Sequence, residues 1–158
     1  MGEGHAEPGM GQLRQHKRGT TRAVRASVDY EALARFRYEL RKFQAFSQSA
    51  AKRAGLTPQQ HQALLAVRGF SGERPISVGE LADCLLIRHH TAVELVNRMT
   101  RLKILSRSID GADSRRVLVR LTREGERRLQ QLSRIHLEEL RAIGPTLTRL
   151  LRPFRRPG

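Results

Sequence analysis

SVGELADCLLIRHHTAVELVNRMTRL, residues 77–102, holds two short helical patterns with a break between them, and its reading decides the fold. Ser77 with Glu80 three positions on is a capping box, in which each side chain satisfies an amide of the opening turn. The helix that follows carries Leu81, Ala82 and Leu85 on one face. Leu86-Ile87-Arg88 interrupts the period. A second helix then places Ala92, Leu95, Val96, Met99 and Leu102 inward at spacings of three and four. Two short helices joined by a turn of three or four residues form the pattern of a helix-turn-helix, whose second helix enters the DNA major groove.

Downstream, Ile104 to Ile109 and Val117 to Leu121 are β-capable runs around DGADSRR, residues 110–116. Asp-Gly among polar residues signals a hairpin, and a hairpin directly after a helix-turn-helix is a wing. Thr122 caps a long helix with Leu129, Leu132, Ile135 or His136, Leu140 and Ile143 on one face. Gly144-Pro145 is expected to end it and to start a short helix bearing Leu147, Leu150 and Leu151.

Upstream, Gly72-Glu73-Arg74-Pro75 is a loop, and Ile76 adds a residue or two of strand. Thr57-Pro58-Gln59-Gln60 is a second capping box with proline at the first helical position, opening a helix that ends near Gly69. From Asp29, the spacing of Leu33, Phe36, Leu40, Phe43, Ser47, Ala50 and Ala54 predicts one face of a long amphipathic helix stopped by Gly55. Residues 1–27 show no apolar period. Their glycines and the basic Arg14, His16, Lys17, Arg18, Arg22 and Arg25 read as a flexible basic arm, either a DNA-contacting segment or a plain tail.

Composition narrows the partners. Against 15 acidic residues the chain has 30 Lys+Arg, a formal charge of +15, and such a field attracts polyanions. The single cysteine, Cys84, excludes an intrachain disulfide and any multi-cysteine zinc site. No run approaches the length of a membrane span and no signal-peptide core is present, so a cytoplasmic protein is expected. Paired carboxylates, a nucleophile elbow, a Gly-rich phosphate loop and metal motifs are all missing from the sequence, which argues against an enzyme and against any cofactor or metal.

With these elements in this order, the chain resembles the MarR family of winged-helix transcriptional regulators over residues 30 to 152. The resemblance rests on Leu81-Ala82-x-x-Leu85, on Thr91-Ala92-x-x-Leu95-Val96-x-x-Met99, and on a wing followed by Val119-Arg120-Leu121-Thr122-x-x-Gly125. It implies a mainly α fold with a small β-wing: a winged helix-turn-helix at 57–121 flanked by dimerisation helices at 29–54 and 122–152. It further implies a homodimer on a pseudo-palindromic double-stranded DNA operator, and a small-molecule or redox signal that releases the DNA. Ser114 departs from the family, which usually has a basic residue after the wing aspartate, so either Arg115 or Arg116 is the groove-inserting side chain.

Helical phase nominates the contacts. Arg88, His89, His90, Thr91 and Glu94, at the start of the recognition helix, are expected at or near base edges. Asn97, Arg98 and Arg101 lie further along the same outward side, with the two arginines placed for the backbone. Asp113 is placed to orient Arg115 or Arg116. Adjacent histidines on a helix point about 100° apart and cannot share one ion, so His89 and His90 make no metal pair. His61 and His136 meet if their helices pack together. Cys84, one residue before core Leu85, reads as a buried and inert thiol, with sensing through it the lesser alternative. An effector pocket is expected near Phe36, Arg37 and His61, where a carboxylate would find Arg or His at the rim; Phe36, Tyr38, Phe43 and Phe46 on the first helix either line it or, for most of them, form dimer core. The competing readings are an architectural DNA-binding protein that reads no bases, and an RNA- or partner-binding module on the same fold.

Overall fold

The computed structural model describes residues 29–72 and 74–154, so the basic arm at 1–27 lies outside the described residues. The elements run α1 (Tyr30–Arg53), α2 (Pro58–Gly69), α3 (Val78–Leu85), α4 (His89–Arg101), β1 (Leu105–Ile109), β2 (Val117–Leu121) and α5 (Arg123–Leu151), with a 3-10 turn at Arg152–Phe154. The fold is mainly helical with one small antiparallel sheet, as expected.

Local chemistry sets the helix starts. Asp29 accepts from the Ala32 amide at 2.9 Å. Both capping boxes form, Thr57 with Gln60 and Ser77 with Glu80. Three helix ends share a different device. The amides of Gly55 and Leu56 donate to Lys52 and Ala51, those of Leu86 and Ile87 to Asp83 and Ala82, and those of Lys103 and Ile104 to Thr100 and Met99. This is the paired closure of a Schellman motif, with the first residue of each pair at positive φ. The second residue of each pair, Leu56, Ile87 or Ile104, turns back toward the core.

That closure explains one departure. Leu102, expected inward, is half exposed, because α4 ends at Arg101 and the left-handed Lys103 redirects the chain so that Ile104 is fully buried. A second departure is α5, which runs through Gly144-Pro145 without a break. Proline at 145 removes one amide donor, the bond to residue 141, yet Leu140, Ile143, Leu147 and Leu150 keep the same apolar phase on both sides of it. A third is Cys84, which is exposed, not buried.

Strands β1 and β2 pair with Leu105 opposite Leu121 and Ile109 opposite Val117. Ile76 does extend the sheet: its carbonyl accepts from the Val119 amide at 2.8 Å, and Ser77 bridges to Leu118. The Thr122 hydroxyl donates to the Lys103 carbonyl at 2.6 Å and accepts from the Gly125 amide at 3.1 Å. A Cβ at Gly125 would collide with the Ile104 carbonyl. The Thr122-x-x-Gly125 pattern is thus the joint where α5 leaves the wing. Leu64, Ile76, Leu81, Leu95, Met99, Ile104, Leu105 and Leu132 form the fully buried centre.

Candidate nucleic-acid interface

Helix α4 buries Ala92, Leu95, Val96 and Met99 against the core. Its opposite side follows from that phase. Arg88, His89, His90, Glu94, Arg98 and Arg101 are exposed, and Thr91 and Asn97 are half-buried. No side chain caps the N-terminus of α4, and its first turn has no acidic residue. The outward amides and positive end of the helix dipole therefore stand beside Arg88 with nothing of opposite charge in the first turn.

Helix α3, α4 and the wing enclose a cleft of about 390 Å³ lined in part by His89, Asn97, Arg107, Arg115 and Arg116. Glu94, Asn97, Arg98 and Arg101 share a shallower depression along α4. Asn97 belongs to both, and its carbonyl oxygen accepts from the guanidinium of Arg107 on β1. Arg107 went unnominated in the sequence because alternation along a strand does not show which neighbouring helix a side chain meets. The signal was available only in its charge.

At the wing tip, Asp113 accepts from the Arg115 backbone amide at 3.1 Å and from its Nε at 3.2 Å. The Asp113 carbonyl accepts from the Arg116 amide at 2.9 Å. These bonds from Arg115, first through its backbone and then its side chain, hold the Asp113 carboxyl below the usual carboxylate range. The Arg115 side chain is itself 90% exposed. Asp113 therefore braces Arg115 through its side chain and Arg116 only through the turn.

Glu80 anchors the first helix of the pair. It closes the Ser77 box and makes a two-pronged pair with Arg74 at 2.8 and 2.9 Å. The Arg74 bonds are the main cause, and the Ser77 bonds the next, of a Glu80 pKa near 2.

A separate cavity of about 650 Å³ lies among α1, α2, α3 and α5. His61 and Phe43 line it, whereas Phe36 and Arg37 are not among its walls. Phe36 sits two turns before Phe43 on α1. His61 and His136 do meet, with ring centroids 4.6 Å apart. The Nδ1 of His136 is 2.7 Å from the Leu132 carbonyl and its Nε2 is 2.8 Å from the Ser47 hydroxyl. Because a carbonyl only accepts, the neutral ring donates from Nδ1 and accepts at Nε2. His61 is 5% exposed and its Nδ1 has no hydrogen-bond partner among the described residues. Burial first, and the neighbouring His136 second, push its pKa below the ordinary histidine value. Among the described residues, no group of three or more His, Cys, Asp or Glu is placed to hold a metal ion, and no helix is long and apolar enough to cross a membrane.

Residues 54–116, from the end of α1 to the wing tip, match the model of the MarR family. A MepR mutant of S. aureus bound to an oligodeoxyribonucleotide is similar to the chain, with a TM-score of 0.61 and 20% identity over 80% of this chain and 98% of that one. MepR, a transcription regulator of the Staphylococcus aureus multidrug efflux pump MepA, gives a TM-score of 0.65 and 19% identity over 80% and 98%. A MarR family protein from Bacillus stearothermophilus gives 0.64 and 24% over 72% and 77%. No curated protein matches the sequence.

Proposed function

We propose that the chain is a winged-helix protein of the MarR family and a cytoplasmic, sequence-specific transcriptional regulator, a repressor and not an enzyme. The observation that carries this reading is the cleft between α4 and the wing, where His89, Arg107, Arg115 and Arg116 converge. An α-helix fits the major groove, and a braced guanidinium on a hairpin tip suits the narrow minor groove beside it. Arg115, held by Asp113, is the better candidate of the two wing arginines for insertion. Arg88, His89, His90, Thr91 and Glu94 read bases, while Asn97, Arg98 and Arg101 position the helix on the backbone. The fold shared with a MepR mutant bound to an oligodeoxyribonucleotide supports the same docking.

The protein works as a homodimer on an inverted repeat. Leu33 and Leu40 on the outer half of α1 and Leu151 at the end of α5 are each about two-fifths exposed. A second copy covering them would double the reading head. A small molecule entering the His61 cavity would shift α1 and α5 against the DNA-binding part and release the operator.

The net charge of +15 favours a second reading, an architectural protein that holds DNA without reading it. Affinities for DNA fragments from its own genome and for scrambled duplexes, measured at physiological salt, separate the two. A regulator prefers one fragment by about a thousandfold or more. Equal affinities would leave only the architectural reading.

A further inference from the structure

Cys84 and His61 open on the same cavity. The Cys84 thiol is exposed, in the last turn of α3. His61 is nineteen-twentieths buried and brings to the cavity wall a ring whose Nδ1 has no hydrogen-bond partner among the described residues. The remaining walls are mostly apolar, with Leu65, Leu137 and Leu140 at an exposed rim, and among the described residues no lysine or arginine lines them. Among these walls a carboxylate meets no lysine or arginine. A neutral apolar molecule with one hydrogen-bonding oxygen fits: its chain is covered by the leucines and its oxygen accepts from His61.

We infer that this cavity captures a neutral, apolar α,β-unsaturated ketone by alkylation of Cys84, and that the adduct loosens DNA binding. The thiolate sulfur bonds to the β-carbon while the C=C π pair shifts to the carbonyl as an enolate. The proton lost by the thiol returns through solvent to the α-carbon. Nothing is oxidised and no group leaves. The consequence for DNA follows from position. Cys84 lies two residues before Leu86, and the carbonyls of Ala82 and Asp83 hold the turn that sets the start of α4. An adduct among α2, α3 and α5 strains that turn. This second half rests on the DNA-binding reading; the capture itself does not.

The experiment uses the full chain with 3-nonen-2-one, methyl vinyl ketone and saturated 2-nonanone. Adducts on Cys84 are followed by mass spectrometry, with each rate divided by that for glutathione. Burial of the longer chain predicts a normalised rate for nonenone about tenfold or more above that for methyl vinyl ketone. Nonanone slows the reaction without forming an adduct. Leu65→Lys, at an already exposed rim position, removes the preference, and His61→Phe slows nonenone while keeping the ring volume. Treated wild type then loses operator affinity about tenfold or more, a change of one energy step of ~1.4 kcal/mol, whereas Cys84→Ser keeps it. Equal normalised rates for the two enones overturn the capture site. Selective alkylation with unchanged operator affinity overturns the link to DNA. An untreated protein that binds no DNA overturns the proposed function and leaves the alkylation result standing.

Discussion

The winged-helix half and the outer halves of the two long helices are built on opposite terms. Of the ten largest fully buried side chains, all but Leu132 lie between Leu64 and Val119. By contrast, α1 buries only Ala32 before Ala50, and α5 buries nothing beyond Leu132. Yet these outer segments keep a regular apolar period. The winged-helix half, the proposed reading head, is therefore a finished object in one chain, with its core closed by helix ends, the Thr122–Gly125 joint and the Ile76 strand contact. The long helices present an unfinished face. A second copy is the simplest partner, because identical chains supply the same stripe twice.

The comparison breaks most directly at Leu33 and Leu40. Both are already more than a third exposed, so Leu33→Glu with Leu40→Glu should leave the single chain folded. It should convert a dimer to monomer in sedimentation and weaken operator binding about a hundredfold or more, since the second reading head is no longer tethered. A double variant that stays dimeric would place the interface elsewhere. Next in size is the core of the reading head. Leu81 is fully buried, and Leu81→Ala should cost about 2–5 kcal/mol in denaturant unfolding, with a deficit that does not grow on dilution. Loss of stability that tracks protein concentration would mean the reading head is not complete by itself.

The wing sharpens the picture on a smaller scale. Arg115→Ala should reduce affinity for operator and scrambled DNA alike and flatten the log–log salt slope by about one phosphate contact. Arg107→Ala should do less, because its guanidinium is shared with Asn97. If Arg116→Ala abolishes binding while Arg115→Ala changes nothing, the braced residue is not the inserting one. The smallest effect belongs to Glu80. Its carboxyl titrates near 2 in the folded chain against an ordinary 4.5. The folded state thus holds the ionised form more firmly than the unfolded state does. Its stabilising contribution is present above pH 4.5 and is lost as pH falls toward 2. Melting temperatures of wild type and Glu80→Gln should differ at pH 6 and converge on acidification; a constant gap would assign Glu80 a purely steric role.

How much of this was legible follows the same divide. Capping boxes, the Gly55 stop, the hairpin and the inward face of α4 are local patterns, each written within a few residues. Leu86 and Lys103 take the same left-handed turn as Gly55 with side chains that do not announce it, because tertiary packing of Ile87 and Ile104 overrides local preference. Pro145 misled for the opposite reason: its local signal was strong, but the apolar phase across it continued. The outward face of α4 was readable from phase alone. Arg107, the exposed Cys84 and the membership of the cavity were not, since each depends on which elements meet. His61 and Phe43 were expected at a pocket and line it, while Ser47 lines it and Phe36 and Arg37 do not.

In-vitro selection of random duplex DNA by the full chain tests the central claim most directly, that a reading head complete in one chain is doubled by its long helices. The account predicts an inverted repeat whose half-sites are centred about 10 base pairs apart, one helical turn, or a multiple of it. A selected pool with a single unpaired half-site, or with no enriched sequence at all, would contradict it.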